Sequence, residues 1–165
     1  TAAATAAAEA IAATAAATLK ATTDATLANL QASYDALVAP VAATMTTATT
    51  DVVNGRTGND TIAATNLTYN AGDLITDASA TDADVLTITV DGADLAAAAT
   101  TAGIETITVN ITSILAGATP LEFLMDMANI SGMGTLNVNA TNASTLINNV
   151  QIDNAASMTL NTSSS

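Results

Sequence analysis

Val85-Leu-Thr-Ile-Thr-Val90 alternates bulky aliphatic residues with threonine. A period of two places Leu86, Ile88 and Val90 on one face of an extended chain and Thr87 and Thr89 on the other, the mark of a half-buried strand. Shorter strings of the same texture follow: Thr106-Ile-Thr-Val-Asn110, Thr135-Leu-Asn-Val-Asn139, Asn149-Val-Gln-Ile-Asp153 and Ser157-Met-Thr-Leu-Asn161. Val109 and Val138 stand 29 residues apart, and Val138 and Leu160 stand 22 apart. Such spacing suits the rungs of a β-solenoid or β-roll, and it suits a β-sandwich of short strands as well. Between them, Pro120–Met127 (PLEFLMDM) reads as one helical turn or a lid. Its cluster Leu121, Phe123, Leu124 and Met125 is the largest apolar patch in the chain, suited to a core plug or end cap, with a subunit contact as the alternative.

Upstream of residue 50 the texture is different. Residues 1–50 hold 21 Ala and 12 Thr, no Gly, and Asn29 as their one asparagine, whereas all eight Gly lie beyond Val53. Alanine is the best helix former, and Leu27, Leu30, Tyr34, Leu37 and Val41 repeat at spacings of three and four, an apolar seam along one helix face. Pro40 disfavours helical geometry at Ala39 and should end the helix there. The run Thr44–Thr50 reads as an extended connector. The expected fold is therefore mainly β with an N-terminal α-helix, divided into a helical segment with its connector (1–50) and a β-rich assembly domain (51–165). The helix seam is expected either to pack on the second region or to meet another subunit. The chain begins at Thr and closes on MTLNTSSS, which reads as a processed protein or the ordered part of a longer one.

Composition narrows function. The 165 residues carry no His, Cys or Trp, and Lys20 and Arg56 are the only side-chain cations against 15 carboxylates, a net charge of −13. That removes imidazole bases, thiolate nucleophiles and zinc sites. Two carboxylates can still serve as acid and base, so a hydrolytic module using an Asp pair is the enzymatic alternative, although few aromatic residues are present to platform a sugar. We expect no enzyme. A chain with no basic stripe is a poor ligand for nucleic acid and for an anionic membrane surface. Its apolar runs, mostly Ala and interrupted by Thr, Glu and Pro, do not read as membrane-spanning.

Eight of the 15 carboxylates fall between Asp51 and Asp94, beside the single cation Arg56. A crowd of oxygen ligands in flexible segments favours Ca²⁺ over Mg²⁺, which holds its waters tightly. Gly55-Arg-Thr-Gly58-Asn-Asp60-Thr-Ile62-Ala63 matches the calcium-binding nonapeptide G-G-x-G-x-D-x-U-x at both outer glycines, the aspartate and the aliphatic, with Arg56 in place of the second glycine. Asp82-Ala-Asp84-Val-Leu86 is a weaker echo. The same Gly-Asn-Asp-Thr string also suits a simple loop or hairpin. If calcium binds, the ligands are expected among Asp60, Asp73, Asp77, Asp82, Asp84 and Asp91, with Asp94, Glu105 and Glu122 left to solvent.

Residues 53–112 resemble a module of RTX-type surface-layer proteins of Gram-negative bacteria. The likeness rests on the Gly55–Ile62 turn, Gly72-Asp73-Leu74, the strand Thr81-Asp-Ala-Asp-Val-Leu86 and the strand Gly103-Ile-Glu-Thr-Ile-Thr-Val109. It covers about a third of the chain; the tandem glycine-rich repeats typical of that family are absent. The resemblance implies secretion without a classical leader, calcium-driven folding outside the cell and self-assembly into a lattice or filament, with the protein at the cell surface. Cell-surface polysaccharide is a further partner to consider, although the helical leader carries no anchoring motif. The alternative within the same resemblance is a module of a larger adhesin or stalk protein. Seven Asn-x-Ser/Thr sequons are a weak extracellular hint.

Overall fold

In the computed structural model the described residues are 1–79, 81–91, 99–113, 121–126, 129–140, 147–153 and 159–164. The chain divides into two compact units, Thr1–Val38 and Ala39–Ser165.

The first unit is one helix, α1 (Ala2–Val38). It stops two residues short of Pro40, as the steric clash of a proline ring with the preceding residue demands. Its hydroxyls turn inward on the backbone: Thr14, Thr18, Thr22, Thr23, Thr26 and Ser33 each donate to the carbonyl four residues earlier. This removes most of the polarity that threonine would otherwise offer. No residue of α1 is buried, and Leu27, Leu30, Tyr34 and Leu37 are exposed. Four of the five predicted seam residues thus lie on the helix and are exposed, while Val41 falls beyond its end, just before the strand residue Ala42. Thirty-seven residues at 1.5 Å each give a rod of roughly 55 Å. By length and composition alone it is long and apolar enough to cross a bilayer, despite its Thr and Glu interruptions.

The second unit is built from parallel strands. One sheet contains β1 (Ala42–Thr44), β3 (Thr61–Thr65), β5 (Val85–Asp91), β7 (Thr106–Ser113), β10 (Thr135–Ala140) and β12 (Thr159–Ser164), in that spatial order. A second contains β2 (Val52–Asn54), β4 (Leu74–Thr76), β6 (Thr100–Ala102) and β9 (Ile130–Ser131). A third pairs β8 (Leu121–Asp126) with β11 (Ile147–Asp153). From β1 to β7 the chain passes alternately between the first two sheets, so each strand lies beside the strand two before it.

Three expectations are corrected. Every observed pairing is parallel, which overturns the β-sandwich, since a sandwich of short strands is joined by antiparallel hairpins. A regular β-solenoid or β-roll is not seen either. Tandem nonapeptides would give a uniform turn of about 18 residues, whereas the aligned positions Ala42, Thr61, Val85, Thr106, Thr135 and Thr159 are separated by 19, 24, 21, 29 and 24 residues. What stands is a helix followed by stacked parallel sheets. The helical turn or lid expected at Pro120–Met127 is likewise a strand over Leu121–Asp126, because pairing with β11 outweighs local propensity.

Alternation builds the core as read from the sequence. In register, Ile62, Leu86, Ile107 and Leu136 form one buried column, and Ala64, Ile88, Val109 and Val138 form the next. From the second sheet, Ile75 and Thr101 face the same interior while Val53 and Ile130 border it. Full burial of each aliphatic side chain stabilises the unit by about 1.5–3 kcal/mol. Threonines and asparagines hold the outer face, where Asn139 Nδ2 donates to Asn110 Oδ1 at 2.9 Å.

Candidate metal centre

The turns between sheets place the acidic residues. Just before β1, β3, β5, β7 and β10, in register, stand Val41, Asp60, Asp84, Glu105 and Gly134. The side chain on each turn reaches back one turn. Asp60 Oδ1 accepts from the Val41 N–H at 2.5 Å, Asp84 Oδ1 from the Asp60 N–H at 2.7 Å, and Glu105 Oε2 from the Asp84 N–H at 3.0 Å. Asp60 Oδ2 also accepts from the Arg56 N–H of its own turn, at 2.6 Å. The result is a ladder of carboxylates that satisfies backbone donors at the corner where strand pairing begins. It stops at Gly134, which has no side chain to continue it.

A second ladder serves the other corner. Asp51 and Asp73 precede β2 and β4, and Asp73 Oδ1 accepts from the Asp51 N–H at 2.8 Å. Asp73 Oδ2 takes the Asn70 N–H at 2.6 Å, and Asp51 Oδ2 takes the Thr46 N–H at 2.6 Å. Ala99 holds the equivalent place before β6, and the ladder ends there.

What distinguishes the first corner is an excess of carboxylate oxygens. Asp77 and Asp82, on the turn from β4 to β5, join the ladder residues in two groups: Asp60, Asp77 and Asp84; and Asp82, Asp84 and Glu105. Within each group one oxygen per residue lies within 4.8 Å of the others. Asp60 and Asp84 have no exposed surface. Among the described residues, Asp77 Oδ1, both oxygens of Asp82 and Asp84 Oδ2 are buried with no hydrogen-bond partner. Burial, before any other cause, pushes the Asp84 carboxyl from its ordinary 3.8 up to about 6; the Asp60 N–H opposes this, and the charges of Asp82, Asp77 and Asp60 add to it.

The close approach of these groups depends on Gly55. A Cβ there would stand 2.5 Å from Asp60 Oδ2 and 2.9 Å from Asp77 Oδ1. The first glycine of the nonapeptide is thus required by space, and its aliphatic, Ile62, is buried as the pattern demands.

The predicted ligands separate accordingly. Asp60, Asp77, Asp82 and Asp84 come together. Asp73 is buried at the opposite corner with both oxygens taken by backbone donors. Asp91 is exposed at the far end of β5, about 20 Å along the strand from Val85 at 3.3 Å per residue. Glu105, expected in solvent, belongs to the cluster; the signal for it was its place immediately before a predicted strand, matching Asp84 before Val85. Asp94 and the side chain of Glu122 lie outside the described residues.

The donor set is all oxygen. Two oxygens on one calcium ion, each bound at 2.3–2.6 Å, are separated by at most about 5 Å, so either group is compact enough to share an ion. Comparison with protein-family models, with curated proteins and with solved structures finds no match.

Proposed function

We propose that this chain is a secreted structural component of a cell surface that assembles with copies of itself and is held in its folded form by Ca²⁺. The observation that carries the reading is the set of buried, partnerless oxygens on Asp77, Asp82 and Asp84. A carboxylate removed from water costs several kcal/mol unless it is neutralised, and the chain has almost no cations of its own. Divalent ions from outside meet that need, and an irregular all-carboxylate donor set suits Ca²⁺ better than Mg²⁺. Burial of Asp60 and Asp84 also denies them to a substrate, which favours a structural over a hydrolytic role.

Assembly is supported by the uncovered apolar residues of α1 and by β1 and β12, which flank the first sheet with one strand partner each among the described residues. Edges of this kind pair readily with another chain.

The test is removal of the ion. Excess EDTA is expected to dissociate assemblies, followed by light scattering, and to loosen the β region, followed by circular dichroism, with both restored by Ca²⁺ and not by Mg²⁺. Assemblies and spectra indifferent to the chelator would contradict the proposal.

A further inference from the structure

Resting on that reading, we infer that the cluster holds two divalent cations, one on Asp60, Asp77 and Asp84 and a second on Asp82, Asp84 and Glu105, with Asp84 shared between them. A single ion at the first position leaves the second group unexplained. Both oxygens of Asp82 are buried without a donor, and Asp82 is not a member of the first group. Asp84 belongs to both groups, is fully buried, and keeps Oδ2 without a partner while Oδ1 is spent on the Asp60 N–H. Glu105 likewise commits Oε2 to the Asp84 N–H, which fixes its carboxylate against the other two.

Charge supports two ions rather than one. Five carboxylates converge: Asp60, Asp77, Asp82, Asp84 and Glu105. One divalent ion would leave a net charge near −3 in a largely buried corner, and two leave about −1. A carboxylate bridging two cations is an ordinary arrangement in two-metal sites, where the ions lie roughly 3.5–4 Å apart.

The position is also bounded. Gly134 follows Glu105 in the same register and brings no oxygen-bearing side chain, so among the described residues this ladder offers no third position beyond Glu105. The two ions would fasten three consecutive turns, those leading into β3, β5 and β7.

The experiment is calcium stoichiometry on the full 165-residue chain, by isothermal titration with CaCl₂ and by metal analysis after gel filtration. Asp82→Asn removes a charge whose oxygens make no protein hydrogen bond, and Glu105→Gln keeps an acceptor for the Asp84 N–H, so both variants should fold. Two ions per chain are expected in the wild type and one in each variant. One ion in the wild type, unchanged in both variants, overturns this inference and leaves the proposed calcium dependence standing. Two ions retained in both variants also overturns it. No bound calcium in the wild type overturns both.

Discussion

Asp60 and Asp84 are joined across one turn of chain: the backbone N–H of Asp60 donates to Oδ1 of Asp84 at 2.7 Å, and both residues are fully buried. The bond ties the start of β3 to the start of β5, and it leaves the second oxygen of Asp84 directed at other carboxylates. The side chain that orders this corner is also the one that the proposed ions would share, which makes its titration informative.

With the ion stripped, Asp84 should make stability fall as pH rises. Its folded value, about 6, lies above the ordinary 3.8, so the folded chain holds the extra proton between roughly pH 4 and 6. Its stabilising contribution is complete below that window and lost above it. At about 1.4 kcal/mol per unit the effect is on the order of 2–3 kcal/mol. Thermal melts in EDTA at pH 4.5 and 7.5 should show this slope in the wild type and lose it in Asp84→Asn. In saturating calcium the wild-type slope should reverse, because protons and metal then compete for the same oxygens.

Gly55→Ala should damage folding and ion binding together. The added methyl would lie 2.5 Å from Asp60 Oδ2 and 2.9 Å from Asp77 Oδ1, and overpacking of this kind costs about 1–3 kcal/mol. Urea denaturation with calcium present checks the first effect, and a lowered calcium affinity checks the second.

Asp73 gives the opposite pattern. Asp73→Ala strands the N–H groups of Asp51 and Asn70, at about 1–3 kcal/mol for each donor left buried. Yet the number of bound calcium ions should not change. A loss of stoichiometry in this variant would assign Asp73 to the metal site after all.

The exposed seam of α1 should matter only between molecules. Leu30→Lys is expected to shift the melting point of the isolated chain negligibly, since Leu30 is 67% exposed and surface changes of this kind stay within about 0.5 kcal/mol. The same substitution should reduce self-association measured by analytical ultracentrifugation.

The features legible in the sequence are those with a local cause. Pro40 ends the helix, and the alternation in Val85–Val90, Thr106–Asn110 and Thr135–Asn139 becomes β5, β7 and β10 with the expected residues buried. Strands of three residues, such as Ala42–Thr44, Val52–Asn54 and Leu74–Thr76, are too short for a period to show. They exist because a neighbouring turn supplies hydrogen-bond partners, a fact of register rather than composition. Glu105 escaped for the same reason. In the chain it stands apart from the other acids, and only the alignment of Thr106 with Val85 sets it beside Asp84. The sequence also shows no preference between parallel and antiparallel pairing, since Asn54-Gly55, a strong hairpin signal elsewhere, here closes a strand that pairs in parallel.

Gly103, with its positive φ of 77°, allows the chain to cross from β6 to β7 through Ile104 and Glu105 alone, and Gly132 repeats the device between β9 and β10. The crossings before these, from Gly55 to Asp60 and from Asp77 to Asp84, are longer and carry four of the five clustered acids. On the proposed reading the same corner is closed in two ways along its length, by ions as far as Glu105 and by bare backbone at Gly132–Gly134. On that reading a chain deprived of its ions should loosen first from its N-terminal strands, while the turn at Gly132 keeps its pairing.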